Sequence, residues 1–249
     1  MGELWFLVPA ITLIGALCAL ASLGGQVLAR GVVFIDLAVA QAAAAATLGF
    51  QMVSHTHDPW VLTIASVGGA LACSFAVAGL CRAWPQQREA LIGLLYVMGA
   101  MLALLAAQFS SHGREDLQEL LAADLLWSDV FDAVSAVACG VVVLTIRFFR
   151  RDLFRKDILF FAVFGIVASL MVQSLGVFLV FALLIAPAVL QIRYGPVITG
   201  LAIVAAIGLG VVASWWLDLP SGISVGLLVS LTGLASVFDR RRQKQSLHG

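Results

Sequence analysis

The chain has 249 residues, 62% of them hydrophobic and only 11% charged, with a mean hydropathy of +1.06; soluble domains carry about 25% charged residues, so a water-soluble globule is excluded. Its 14 basic residues balance 14 acidic ones, and a net charge of zero leaves no cationic footprint for a nucleic acid. In lipid every backbone polar group must be satisfied within its own segment, so the expected fold is all-α, a single polytopic bundle of transmembrane helices in a bilayer.

Taken in chain order, the N-terminal MGELWF has no basic n-region, and the apolar stretch after it has no small-residue cleavage site, so the first span is expected to be retained. Apolar runs follow at about 4–23, 31–53, 60–81, 90–108, 130–148, 158–191, 197–217 and 221–238. The sixth run is too long for one crossing: its 34 residues would make a helix of about 51 Å, against a hydrocarbon core of about 30 Å. Splitting it at Ser174-Leu175-Gly176 gives nine spans instead of eight, as two short crossings or a kinked, partly re-entrant pair.

The charges decide for the split. With the N-terminus outside, nine spans bring 13 of the 14 basic residues to the cytoplasm and leave Arg114 alone outside. Without it, Arg193 and the four basic residues of the tail change sides and 8 remain. The C-terminus is then cytoplasmic. Trp5, Trp60, Trp127, Trp215 and Trp216 fall toward the outer boundary and Trp84 toward the inner one, as in an aromatic belt.

Within this frame a few polar residues need a reason. Asp36 and Gln41 sit inside an apolar run, in FIDLAVAQ. An intramembrane acid is a candidate functional group; the structural alternatives are that Asp36, about 9 Å past Arg30 along the helix, pairs with that arginine or caps a neighbouring helix, and that Gln41 bonds between helices. The AAAAATLG that follows is a small-residue face, which predicts a packed interior helix. In the outer loop, His55, His57 and Asp58 are ligand types that zinc and manganese accept, or a solvated turn.

The outer segment SSHGREDLQELLAADLLWSD, residues 110–129, has leucines at helical spacing and reads as an amphipathic surface helix, either concentrating cations, docking a partner or simply solvated. Cytoplasmic RFFRRDLFRKD, residues 147–157, mixes basic residues with Phe148, Phe149, Leu153 and Phe154; it reads as a surface for anionic lipid or a partner, or as plain positive-inside anchoring. Cys18, Cys73, Cys81 and Cys139 lie in or beside apolar runs, without a C-x-x-C, and read as small core residues. No phosphate-binding G-x-x-x-x-G-K-[ST], no H-E-x-x-H and no nucleophile elbow occurs. No catalytic residue or bound cofactor is therefore expected, and uphill transport would draw its energy from elsewhere.

Three segments carry a resemblance. SLGVFLVFALLIAPAVL, Ser174 to Leu190, is similar to V-G-x-L-L-V-x-A-L-L-I-x-P-A of the membrane permease subunits of zinc and manganese ABC importers. REALIGLLYVMGAMLALL, Arg88 to Leu105, and DLQELLAADLL, Asp116 to Leu126, resemble that family's A-I-G-I-x-F with A-L-G and its D-L-x-x-x-L-F-G-x-x-L, in the same order along the chain. Arg30 to Gly49 occupies the place of G-D-A-L-S-H-A, whose Asp and His contact the metal. Asp36 takes the acid's place. Aligning on the acid puts Ala40 at the histidine, and aligning on Leu-Ser-His puts Gln41 there.

The resemblance implies one permease domain over residues 1–249 in the plasma (inner) membrane of a bacterium. It implies a homodimer with the translocation path at its axis, a cytoplasmic ATP-binding cassette subunit that holds the ATP, and a periplasmic metal-binding protein; zinc or manganese is the cargo. The family's cytoplasmic F-D-P-E-x-A-x-x-x-G docking helix is missing, and the shorter RRDLFRKD stands in its place. The competing readings are a cation-coupled secondary transporter using Asp36, and a non-transporting membrane subunit.

Overall fold

Apolar runs become helices here, separated by glycines, prolines and polar turns. A computed structural model describes residues 6–54, 58–109, 121, 125–149, 154 and 156–246, the last ten as backbone only. The helices are α1 (Leu7–Arg30), α2 (Ile35–Ser54), α3 (Pro59–Ala83), α4 (Arg88–Gln108), α5 (Val130–Phe149), α6 (Asp157–Leu175), α7 (Val177–Leu217) and α8 (Ser221–Ser246), with a 3-10 turn at Leu125–Trp127. No strand occurs among the described residues. α1 to α7 are each long and apolar enough to cross a membrane.

The expected split is present. α6 stops at Leu175, and Gly176, with φ 75° and ψ 158°, separates it from α7. At the outer end of α6, Ser174 donates to Oδ1 of Asp132 at the start of α5, and Gln173 donates to Ser66 near the start of α3. Eight residues into α7, Leu184 has moved to the inner half, where its carbonyl lies against Gly24 of α1. The chain therefore reverses at Gly176. The left-handed φ there suits glycine, which has no Cβ to clash.

α7 contains a second break of the same kind. Its 41 residues are interrupted by Gly195, with φ 75° and ψ 175°, followed by Pro196. The limbs 177–194 and 196–217 are about 27 and 33 Å long, each a full crossing. Arg193, at the end of the first limb, donates to the Ser236 carbonyl near the inner end of α8; Gly210 of the second limb lies against Val225 nearer the outer end of α8. With α8, nine crossings result among the described residues, in the order read from the charges. Both limbs of the split 158–191 run are longer than expected, because the helices continue through polar ends.

Arg30, Arg82, Arg88, Arg147, Lys156 and Arg193 all lie at the same ends of their helices, which the positive-inside rule makes cytoplasmic. Trp60, Trp127, Trp215 and Trp216 are exposed at the opposite end and Trp84 at the basic one. A reporter fused after Lys244 should accordingly be accessible only from the cytoplasm, and one inserted after Ser54 only from outside. A C-terminal reporter labelled from outside would remove one of the two glycine reversals.

Candidate functional site

The site begins with the end of α1. Gly31 adopts φ 60° and ψ 45°, and its N–H bonds to the carbonyls of Leu28 and Val27, a left-handed cap that releases the chain from the helix. Four residues later α2 starts at Ile35, so Asp36 falls in its first turn. Acids are favoured there by the helix dipole. Here, however, the carboxylate is 2% exposed and neither oxygen has a hydrogen-bond partner; only the backbone N–H groups of Asp36 itself and Leu37 lie near it. Ile35, Ala38 and Val39 around it are fully buried. An unpaired buried carboxylate costs several kcal/mol if charged.

Arg30 does not supply the missing partner. Its guanidinium donates to Asp157 Oδ1 at 3.2 Å, to Gln26 Oε1 at 2.8 Å and to the Phe154 carbonyl, and it covers the Phe160 ring at 4.2 Å. The Arg30–Asp36 pair, one of the structural alternatives for this acid, is thus absent, and a clasp between the end of α1 and the start of α6 takes its place. Arg30 is the last residue of α1, and its side chain reaches the sequence-distant Phe154, Asp157 and Phe160.

Gln41 is also buried, at 5% exposure, on the face where α2 meets α4. A Cβ on Gly99 would fall 3.1 Å from the Gln41 Cβ, and one on Gly69 of α3 only 2.6 Å from the Ala42 carbonyl oxygen. Glycine on both flanking helices lets α2 be enclosed, as the alanine run predicted. Five residues of α-helix turn Asp36 and Gln41 about 140° apart, so they do not converge on one ion from a single α2. Ala40 occupies the position one turn after Asp36.

Of the outer-loop candidates, Asp58 caps α3: its Oδ1 accepts from the Trp60 N–H at 3.0 Å, with Pro59 in the first helical position. His55 and His57 lie outside the described residues, as does most of 110–124. From that segment Leu125 is buried in the core and Leu121 packs against it. Among the described residues no three His, Cys, Asp or Glu side chains gather into a set that could hold a metal. The four cysteines are free, with Cys73 and Cys139 buried.

In the cytoplasmic patch, Phe154 is 5% exposed and packs edge-on against Phe160, with ring centroids 6.3 Å apart. It belongs to the core and presents nothing to a docking partner, contrary to the expectation from its place in RFFRRDLFRKD. Phe148 and Phe149, 67% and 81% exposed, are the described apolar residues of that patch left at the surface.

A bundle of apolar helices with a buried, unpartnered acid on an alanine-rich helix is the architecture of a multi-pass membrane protein. Residues 155–240, covering α6 to α8, match the family described as the ABC 3 transport family, and the resemblance read from Ser174 to Leu190 is borne out over that stretch. A solved structure described as PsaBC from Streptococcus pneumoniae in complex with Fab shares the fold, with a TM-score of 0.73 at 17% identity over 93% of this chain and 90% of that one. No curated protein matches the chain.

Proposed function

We propose that this chain is the permease subunit of an ABC importer for a divalent metal ion, zinc or manganese, in the plasma (inner) membrane of a bacterium. The observation that carries the proposal is Asp36, a carboxylate enclosed within the bundle without a protein partner. A passing divalent cation would supply the charge that the fold withholds, and carboxylate oxygen is an accepted ligand for either metal. The family match over 155–240 supports the ABC class.

In this reading two copies form the path at their shared axis, and an external protein delivers the metal. The chain has no nucleotide-binding motif, so two cytoplasmic ATP-binding subunits provide the energy, moving the inner surface to alternate access. The exposed Phe148 and Phe149 are the apolar part of the surface on which they dock. Gln41 acts apart from Asp36, facing α4.

The reading is tested in vesicles holding the chain with its ATP-binding subunit and the external protein. Uptake of radiolabelled zinc or manganese should require ATP hydrolysis and persist when the proton gradient is collapsed. Uptake driven by an imposed ion gradient without ATP would assign the chain to secondary transport. No uptake by the intact complex would make it a non-transporting subunit.

A further inference from the structure

The basic ends of α1, α3, α4 and α6 line a cavity of about 830 Å³. Four cationic residues line it: Arg30, Arg82, Arg88 and Lys156. Asp157 is the only acid in the lining, and it is paired to Arg30. The side chains of Arg82, Arg88 and Lys156 have no hydrogen bond or ion pair among the described residues, so the described lining, with four cations to one acid, is net positive. Arg88 is positioned across the α1–α2 turn: a Cβ on Gly31 would fall 2.8 Å from its Nη2. The turn that needs a left-handed residue also makes room for this guanidinium.

The rest of the lining is apolar. On α3, Phe75, Ala78, Gly79 and Arg82 share one face, and seven residues put Phe75 about 10 Å deeper into the bilayer than Arg82. Phe75 of α3 and Ile158 and Leu159 of α6 line the wall, and all three are exposed. Cations at the level of the headgroups, with Ile158 and Leu159 beside them and Phe75 deeper at the level of the acyl chains, match an amphipathic anion. A soluble acidic peptide has no use for the deeper wall.

We propose that this cavity binds an anionic phospholipid of the cytoplasmic leaflet, with its phosphate held by Arg82, Arg88 and Lys156 and an acyl chain against Phe75 and Ile158. Basic pockets between transmembrane helices on the cytoplasmic side suit such headgroups. The site rests on the bundle being embedded in a membrane and not on the identity of the cargo, so failure of the metal-import reading leaves it standing.

The experiment is native mass spectrometry of the full chain after detergent exchange from bilayers of mixed phosphatidylglycerol and phosphatidylcholine. The wild type should retain phosphatidylglycerol preferentially. In Arg82→Gln/Arg88→Gln that preference should fall about thirtyfold, the worth of two basic residues near the surface. If the double variant does not survive purification, Arg82→Gln alone, an exposed side chain, should lower it about fivefold. Equal retention of the two lipids by the wild type would overturn the proposal and leave the cations to an acidic segment of a partner. So would unchanged preference in the variants, or displacement of the lipid by millimolar inorganic phosphate, which would make the site a reader of free phosphate.

Discussion

Asp36→Asn is expected to reduce metal uptake by about tenfold or more, the scale lost even when residues behind a metal's ligands are changed, without destabilising the bundle. The two halves of that expectation come from one fact. The carboxylate is buried and unpartnered, so its replacement by a carboxamide of the same shape breaks no ion pair and removes a group that is costly to bury charged. A structural carboxylate would behave in the opposite way: deleting one member of a buried pair costs about 3–5 kcal/mol. Thermal unfolding should therefore be unchanged or shifted upward in Asp36→Asn, while uptake of radiolabelled zinc and manganese at equal protein collapses. Gln41→Ala, on another face of α2, should lower uptake only in part. Normal uptake by Asp36→Asn would remove the metal-contact role from this residue.

Gly24→Ala should prevent the bundle from assembling, whereas its neighbour Gly25→Ala should fold as well as the wild type or better. A Cβ on Gly24 would sit 1.9 Å from the Leu184 carbonyl oxygen and 3.0 Å from its carbon, but around Gly25 nothing lies within 4 Å. The obstruction is backbone of α7, which no rotamer change relieves, so α1 and α7 would have to separate. Ordinary overpacking costs about 1–3 kcal/mol; a clash with backbone exceeds that range. Gly25, exposed on the same helix, gains about 1 kcal/mol of helix propensity as alanine. Yield of monodisperse protein and its unfolding temperature check the pair, and equal behaviour of the two variants would mean that α1 does not pack on α7 as described.

Some of the site was legible because lipid imposes rules that act along one axis. Asp36 stands out in an apolar run whatever its neighbours are, and the alanine run after Gln41 announces an enclosed helix before the glycines that enclose it, Gly69 and Gly99, are known. The break at Ser174 to Gly176 was likewise recoverable, because only a reversal there keeps Arg193 on the basic side. Arg30 and Asp36 are close along the chain but not paired in space, because the guanidinium reaches Asp157, 127 positions away. Phe154 misled. Its basic neighbours suggest a surface residue, but the ring turns inward onto Phe160.

What the sequence determined by itself is the membrane class and the succession of apolar helices, with a direction that the positive-inside rule assigns. Hydropathy, span length and the side preference of basic residues are each set helix by helix, with no reference to which helix lies beside which. The tertiary structure alone decided that Asp36 has no partner, that Gly24 must be glycine, and that Arg82, Arg88 and Lys156 converge on one cavity. Those outcomes depend on the lateral arrangement of the helices, and in a bilayer many lateral arrangements satisfy the same axial pattern. Close packing selects among them through contacts between residues far apart in the chain.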